Sequence, residues 1–151
     1  MTDLGEAPQD QSQALEVVTA VVRLLREAAA NAPSPEERLS VTELRILRRI
    51  ARHVRLATEL AAALDVTVPT VSACVDGLVR RGLVARCDAE GDRRAVPLTI
   101  TARGSAVLAA AAERQHGAVA ALTERLTAAE RRAMAKSLTA LSRVLATDRG
   151  V

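Results

Sequence analysis

The chain has 151 residues, a formal net charge of +3, 49% apolar residues and no Trp, Tyr or Phe, so it suits one domain with an aliphatic core, with or without helical extensions. Its two cysteines make no disulfide framework, its first residues are polar and acidic, and no apolar run approaches the roughly 18 residues of a membrane span. These features exclude a disulfide-rich secreted protein and a membrane-spanning protein, and we expect a cytoplasmic chain with no membrane partner.

The N-terminal region predicts one long helix after a disordered start. Residues 1–10 are predicted to be disordered, and a helix follows from about Asp10 to Ala30. Two apolar stripes run along it at three- and four-residue spacing: Leu15, Val18, Val22, Leu25 and Ala29, with Val17, Val21, Leu24 and Ala28 beside them. Stripes this wide suggest packing against two neighbours. The segment 31–38, NAPSPEER, then acts as a connector because two prolines interrupt the pattern.

Three helices are predicted in the middle of the chain. Ser40 and Glu43 have the spacing of a capping box and open a helix to about Arg52. A second helix covers 58–64, and Thr67 caps a third helix that tolerates Pro69 in its first turn and ends at Gly82. Short helices joined by tight turns are typical of a DNA-binding helix-turn-helix.

A β-hairpin and two further helices complete the chain. Strands are predicted over 83–86 and 95–100, with a turn between them and with Pro97 at an edge position. Thr101 begins a helix to about Leu126, and a second capping box, TAAE at 127–130, begins the last helix. The apolar face of that last helix holds Met134, Leu138, Leu141 and Leu145.

The predicted fold class is mainly α with a small β-hairpin wing: a winged helix-turn-helix domain flanked by N- and C-terminal dimerisation helices. The predicted organisation is a disordered segment (1–10), an N-terminal dimerisation helix with its connector (11–39), the winged domain (40–104) and C-terminal dimerisation helices (105–151). The aliphatic composition favours an oligomer, because Ala-rich helices gain by burying surface against a second copy.

Basic charge is concentrated in the winged region. Residues 40–104 hold eleven Arg, seven acidic residues and no Lys, whereas residues 1–39 hold three Arg and seven acidic residues. The planar guanidinium of Arg suits phosphates and guanine edges. On charge alone, an ordinary solvated surface is an equal alternative.

The hairpin carries a pattern that resembles the MarR family of bacterial transcription regulators. The family pattern is Asp, one residue, Arg, five residues, Leu-Thr, two residues and Gly. Here Asp92 and Arg94 are followed by AVPLT, Ile100, Thr101, two residues and Gly104, so only Leu to Ile departs. The resemblance extends over roughly residues 12–146, through SVTELRIL (40–47), TELAAALDV (58–66) and PTVSACVDGLVRRGLV (69–84).

The resemblance implies a homodimer that binds a pseudo-palindromic operator in double-stranded DNA, with recognition helix 67–81 in the major groove and wing 86–95 in the minor groove. Asp92 would orient the wing by an ion pair with Arg94. The candidate DNA-binding residues are Thr67, Val68, Pro69, Thr70, Ser72, Arg80, Arg81, Arg86, Arg93 and Arg94. Val68 and Pro69 suit thymine methyl groups, and Thr70 and Ser72 suit base edges or phosphate. Relatives often have basic residues at positions 68 and 73, where this chain has Val68 and Ala73.

Regulation is also implied by the resemblance. Members of the family often act as repressors that release DNA when a small amphipathic molecule binds between the dimer helices and the winged domain. The identity of such an effector is not encoded in any motif. Two alternatives remain at this point: a protein–protein interaction module with weakened DNA readout, motivated by Val68 and Ala73, and a redox-sensing regulator that uses Cys87.

Patterns of catalysis and metal binding are lacking in the sequence. His53 and His116 are the only histidines and have no ligand spacing. Cys74 is predicted to face the core as a small apolar residue, and Cys87 to lie at the exposed start of the wing turn. No nucleophile–base arrangement, phosphate loop or paired-carboxylate motif stands out. We therefore predict no enzymatic activity, no metal and no cofactor.

Overall fold

A computed structural model describes residues 7–53, 56–87 and 96–148. These residues form six α-helices, a short 3₁₀ helix and one two-stranded antiparallel sheet, which confirms the predicted fold class. In chain order the elements are α1 (Ala7–Ala30), the 3₁₀ helix (Pro35–Glu37), α2 (Val41–Ala51), α3 (Ala57–Leu64), α4 (Val68–Arg80), β1 (Val84–Arg86), β2 (Leu98–Ile100), α5 (Ala102–Glu124) and α6 (Ala128–Asp148). Helix α1 begins three residues before its predicted start.

The core lies among α2, α3, α4 and the hairpin, and α1 and α5 contribute their nearest turns. It is aliphatic, as the composition requires, and no polar side chain among the described residues is fully buried. The largest side chains with almost no exposed surface are Ile46, Leu47, Leu60, Val71, Leu78 and Leu83. Five of them lie on the inner faces of α2, α3 and α4, where the helical periodicity directs them inward, and Leu83 lies between α4 and β1.

Helices α3 and α4 form the helix-turn-helix, with a bend of 116° between their axes. Asp65 ends α3 in the left-handed region at φ 53°, which Asp tolerates better than most residues. The Val66 N–H then donates to the Ala61 carbonyl at 3.1 Å. Thr67 caps α4 as predicted, since its hydroxyl accepts from the Thr70 N–H. The tight turn thereby presents the first turn of α4 to one side of the domain.

The end of α4 confirms the role predicted for Gly82. Gly82 has φ 68°, a conformation that glycine adopts without a Cβ penalty. Its N–H donates to the Val79 carbonyl and the Leu83 N–H to the Leu78 carbonyl, both at 2.9 Å. This pair of bonds is the Schellman motif, and it turns the chain directly into β1.

The two strands are shorter than predicted. Val84 pairs with Ile100 and Arg86 with Leu98 in an antiparallel ladder. The Cys87 N–H still donates to the Pro97 carbonyl at 2.8 Å, but Pro97 has no N–H and lies just before β2. Regular pairing therefore stops at Leu98.

The junction of the hairpin with α5 explains the Thr-x-x-Gly part of the sequence pattern. The Thr101 hydroxyl donates to the Gly82 carbonyl at 2.7 Å and accepts from the Gly104 N–H at 2.9 Å. The Thr101 N–H donates to the Leu83 carbonyl at 3.1 Å. A Cβ on Gly104 would overlap the Leu83 carbonyl oxygen. Only glycine allows this close approach of α5 to the chain that leaves α4.

Helix α1 is anchored to the winged domain by its C-terminal half. Ala29 is buried, and the Arg114 guanidinium of α5 donates to the carbonyls of Ala28 and Ala29 at 3.3 and 3.2 Å. Cationic groups at a helix C-terminus satisfy its unpaired carbonyls and its dipole. By contrast, all residues from 11 to 20 are exposed.

The chain divides into two compact units between Gln115 and His116. The second unit contains the end of α5 and all of α6. Its predicted capping box is present: the Thr127 N–H donates to a Glu130 carboxylate oxygen at 2.8 Å, and the Glu130 N–H donates to the Thr127 hydroxyl at 3.3 Å. The Thr127 N–H and the Thr127 hydroxyl, which donates to the same carboxylate oxygen at 2.8 Å, stabilise the charged carboxylate and lower the pKa of Glu130.

A helix that crosses a membrane must be both long enough and apolar enough to span it. No single helix among the described residues meets both conditions, and only the bent pair α3–α4, taken together, meets them by length and composition.

Candidate nucleic-acid interface

The first turn of α4 is an exposed surface at the end of the helix-turn-helix. Thr67, Val68, Pro69 and Thr70 are all exposed, and Ser72 is half-buried. The opposite face of the same helix is held in the core by Val71, Val75 and Leu78. The structure thus brings together the five predicted contact residues of this turn on one rigid, outward-facing surface.

Two hydroxyl groups on this turn are bonded to each other. The Thr67 and Thr70 Oγ1 atoms lie 2.8 Å apart, and the Thr67 oxygen also accepts from the Thr70 N–H at 3.4 Å. A hydroxyl pair has two protons and uses one between its oxygens, so one proton remains for an outside acceptor. Beside the pair, Val68 has 41% of its surface exposed. The turn therefore offers one apolar contact and one hydroxyl donor.

The outer stripe of α4 continues from this turn along the helix. Ser72, Asp76 and Arg80 follow at four-residue spacing, with Ala73 beside them. Arg80 is exposed near the end of α4, where a guanidinium can contact a phosphate. Asp76 is the single acidic residue of α4, and the sequence analysis assigned it no role.

Arg81 lies inside the domain surface rather than on the outer stripe. Its guanidinium forms an ion pair with Glu43, and it donates to the Arg38 carbonyl at 2.7 Å and to the Gly77 carbonyl at 3.2 Å. About a fifth of each charged side chain is exposed, 21% for Arg81 and 18% for Glu43. Glu43 also accepts from the Ser40 N–H at 2.8 Å. These bonds fasten the end of α4 to the start of α2.

Arg86 reaches from the end of β1 back to α4. Its guanidinium pairs with the Asp76 carboxylate, and both side chains are about half exposed. The pair joins the base of the hairpin to the outer stripe of α4. Arg86 therefore lies near the predicted contact residues, with its charge partly balanced by Asp76.

Three predicted wing residues, Asp92, Arg93 and Arg94, lie outside the described residues. Their roles in orienting the wing and entering the minor groove remain predictions. At the edge of the described hairpin, Val96 is 37% exposed.

The arginines of α2 were not given individual roles by the sequence analysis. Arg45 and Arg49 donate to the carbonyls of Leu64 and Ala63 at 3.2 and 3.4 Å, and so cap the C-terminus of α3. Their four-residue spacing, which places them on one side of α2, was the available signal. Arg48 donates to Gln115 at 2.6 Å, and Gln115 donates to the Leu25 carbonyl at 3.0 Å.

A small apolar cavity of about 150 Å³ lies beside these contacts. Aliphatic side chains together with arginine and glutamine side chains line it. The lining residues are Val22, Leu25, Ala29, Leu39, Val41 and Leu44, with Arg26, Arg45, Arg48 and Gln115.

The two cysteines occupy different surroundings. Cys74 packs against the core as predicted, and burial together with the Glu43 carboxylate raises the pKa of its thiol. Cys87 is half-buried rather than fully exposed, and its Sγ lies 3.7 Å from the Thr99 hydroxyl. Among the described residues, no group of three His, Cys, Asp or Glu side chains could hold a metal ion. The predicted redox role of Cys87 remains a prediction.

A tight helix-turn-helix whose second helix is exposed at its first turn, followed by an antiparallel hairpin, defines a winged helix-turn-helix protein. The family model that matches residues 39–95 is that of the MarR family. The predicted resemblance to this family, whose fold is that of transcription regulators, is thereby confirmed. No curated protein matches the chain.

Solved structures share the fold over nearly the whole chain. The YusO protein from Bacillus subtilis aligns with a TM-score of 0.75 at 19% identity, covering 94% of this chain and 99% of that one. FabT from Streptococcus pneumoniae, solved in complex with DNA, aligns with a TM-score of 0.67 at 20% identity, covering 93% and 98%. Wild-type MarR from E. coli, in its apo form, aligns with a TM-score of 0.65 at 22% identity, covering 93% and 98%.

Proposed function

We propose that this protein is a cytoplasmic transcriptional regulator that binds double-stranded operator DNA with the first turn of α4 in the major groove. The exposed first turn carries this proposal, because Val68 and the Thr67–Thr70 hydroxyl pair face outward while the other side of α4 is fixed in the core. A structural neighbour, FabT, has been solved with DNA bound. Apolar contact suits thymine methyl groups, and a hydroxyl donor suits base or phosphate acceptors.

Several predicted contacts have different roles in this proposal. Arg80 is exposed and contacts phosphate, as do Arg93 and Arg94 of the wing, which Asp92 orients. Arg81 acts indirectly, because its guanidinium is occupied by Glu43 and two carbonyls and fixes the end of α4. The recognition surface accordingly relies on shape and apolar contact more than on bidentate arginine pairs.

Dimerisation is the second part of the proposal. Helices α1 and α6 each expose an apolar stripe at helical spacing. Exposing apolar side chains to water is unfavourable. Helix α1 exposes Leu15, Val17, Val18 and Val22, and α6 exposes Leu138, Leu141, Val144 and Leu145. A second copy would cover such stripes and place two copies of α4 on one pseudo-palindromic site.

Regulation by a small molecule is the third part. The cavity beside α1, α2 and α5 is lined by both aliphatic and arginine side chains, which suits a small amphipathic effector. Binding there would favour a dimer spacing that does not fit adjacent grooves, so the protein would act as a repressor released by its effector.

The test is a salt series of binding to duplex DNA from upstream of its own gene, against a scrambled duplex, with the fluorophore on the DNA. The informative variant is Val68→Glu, which places an acid at the exposed first position of α4, where the helix dipole tolerates it but phosphates repel it. Ala128→Glu is the matched control, since Ala128 is the exposed first residue of α6 and lies in no proposed binding surface.

We expect the wild type to prefer its own DNA by roughly 10³-fold or more. Val68→Glu should weaken binding at least about tenfold, the cost of losing one base-pair contact, while Ala128→Glu binds like the wild type. Equal binding of both duplexes by the folded wild type would overturn the proposal, and the exposed apolar turn would then be tested as a protein-binding surface. Equal loss in both variants would place the DNA contact elsewhere.

A further inference from the structure

The single acid of the recognition helix lies where DNA binding would disfavour it. Asp76 is on the outer stripe of α4, one turn beyond Ser72 and one turn before Arg80. Its side chain is about half exposed. A carboxylate on a surface that approaches phosphates adds repulsion, and nothing in the helix requires an acid here, because Asp76 lies far from the N-terminal turn.

The partner of this carboxylate is also part of the predicted DNA surface. Arg86 is the last residue of β1, and its guanidinium crosses from the hairpin to Asp76. The backbone behind it is fixed, because Arg86 pairs with Leu98 and the next N–H donates to the Pro97 carbonyl at 2.8 Å. The position of Arg86 is thus set, and its side chain is directed along α4.

The charge balance of the Asp76–Arg86 ion pair affects DNA binding. An arginine that is free to contact phosphate releases counterions and steepens the salt dependence of binding. An arginine paired with a neighbouring carboxylate forms a unit with no net charge. The Asp76–Arg86 pair therefore removes one positive charge from a surface that also carries Arg80.

We propose that Asp76 limits the affinity of this protein for duplex DNA by pairing with Arg86 and withholding its charge from the phosphate backbone. This inference rests on the proposed DNA-binding function. Asp76 reduces binding to DNA of every sequence, because phosphate contacts carry no sequence information. The protein is then less retained by unrelated DNA.

The test measures binding to a fluorescein-labelled duplex of random sequence between 50 and 200 mM salt (roughly the range over which counterion release dominates). Asp76→Asn removes the charge but keeps the size of the side chain. Glu36→Gln is the matched control, because Glu36 forms an exposed ion pair with Arg103 at 2.6 Å that involves neither α4 nor the hairpin. Both variants change the net charge by the same amount.

Asp76→Asn should bind more tightly than the wild type and Glu36→Gln, with a log–log salt slope steeper by about 0.9, the value for one additional phosphate contact. Its gain should therefore be about threefold larger at the low-salt end of the series than at the high-salt end. In the double variant Asp76→Asn/Arg86→Gln, the added slope should disappear. Circular dichroism melting verifies that each variant is folded.

The outcomes separate two failures. If the folded wild type binds no duplex at any salt concentration, the proposed function fails and the role of Asp76 fails with it. If the wild type binds but Asp76→Asn binds equally or less tightly, with an unchanged slope, only the role of Asp76 is overturned. An equal gain for Glu36→Gln, or a steeper slope that persists in the double variant, also overturns it.

Discussion

The helices of the winged domain and helix α6 use the same aliphatic residues, but they bury them very differently. Leu78 of α4 has no exposed surface, whereas Leu141 of α6 is 54% exposed. Both residues belong to an apolar stripe at helical spacing. The winged domain therefore completes its core within one chain, while the stripe of α6 lacks a cover among the described residues.

Helix α1 contains both a buried and an exposed part of one apolar stripe. Its last turns are fixed by Ala29 in the core and by the bonds from Arg114, but Leu15, two turns into the helix, is 67% exposed. The amphipathic pattern shows no break between the halves. An apolar stripe thus predicts that a helix packs against something, and it does not specify whether the neighbour belongs to the same chain.

The largest expected effect tests how closely α5 packs against the chain that leaves α4. Gly104→Ala should destabilise the protein by about 3 kcal/mol or more, because the added Cβ overlaps the Leu83 carbonyl oxygen and backbone cannot easily move away. Urea unfolding monitored by circular dichroism measures the loss. Gly117→Ala, in the same helix with open space at its Cβ position, is the control and should gain up to about 1 kcal/mol. Similar results for the two variants would show that the junction is loose.

The second prediction compares one leucine from each region. Leu78→Ala should cost about 2–4 kcal/mol at every protein concentration, because it opens a cavity in a closed core. Leu141→Ala should instead weaken dimerisation and reduce the dependence of the unfolding temperature on concentration. Sedimentation and thermal melts over a range of concentrations measure both effects. A Leu141→Ala protein that dimerises like the wild type would remove α6 from the proposed interface.

The third prediction concerns two adjacent arginines at the end of α4. Arg81→Ala should cost about 2 kcal/mol, because it leaves the Glu43 carboxylate and the Arg38 carbonyl without their partner. Arg80→Ala, at an exposed position, should change stability by less than about 0.5 kcal/mol. At low salt, Arg80→Ala should weaken DNA binding more than Arg81→Ala does, since Arg80 is the proposed phosphate contact. Equal stability losses would indicate that the Glu43 contact contributes nothing.

The smallest expected effect is a gain. Gly77→Ala should stabilise the protein by up to about 1 kcal/mol, because Gly77 lies inside α4 and an added Cβ would meet Glu43 Oε1 at an ordinary 3.7 Å. Gly82→Ala is the opposing control: its φ of 68° disfavours any side chain, so that variant should lose about 1 kcal/mol. Chemical unfolding resolves the two signs. A loss in Gly77→Ala would mean that the space beside Glu43 is needed.

Much of the fold was predictable because its signals are local. The capping boxes that begin with Ser40 and Thr127 and the C-terminal signal of Gly82 each depend on residues three to five positions apart, and all were confirmed. Helix boundaries within the described residues differ from the predictions by only a few residues. Hydrogen bonds within one turn of helix are nearly independent of the remaining chain, so the sequence is sufficient to find them.

The partners of the arginines were not predictable in the same way. Arg81 and Glu43 are 38 residues apart, and Arg86 and Asp76 are ten residues apart in different elements. The composition does not distinguish these arginines from Arg80, because only tertiary packing decides which guanidinium meets a carboxylate. The charge of the winged region therefore does not by itself identify which guanidinium groups already have a carboxylate partner within the chain.

The bonds of Thr101 have a consequence for protein engineering. Its hydroxyl joins the Gly82 carbonyl to the Gly104 N–H, and its N–H holds the Leu83 carbonyl. Thr101 thus joins the chain that leaves α4 for the hairpin to the start of α5, where the chain leaves the hairpin. Segments that begin and end at one fixed point tolerate insertion and exchange. Hairpin ends of different length or sequence should therefore be transplantable between Cys87 and Val96, outside the buried Val84 and Leu98, without altering how α4 and α5 meet.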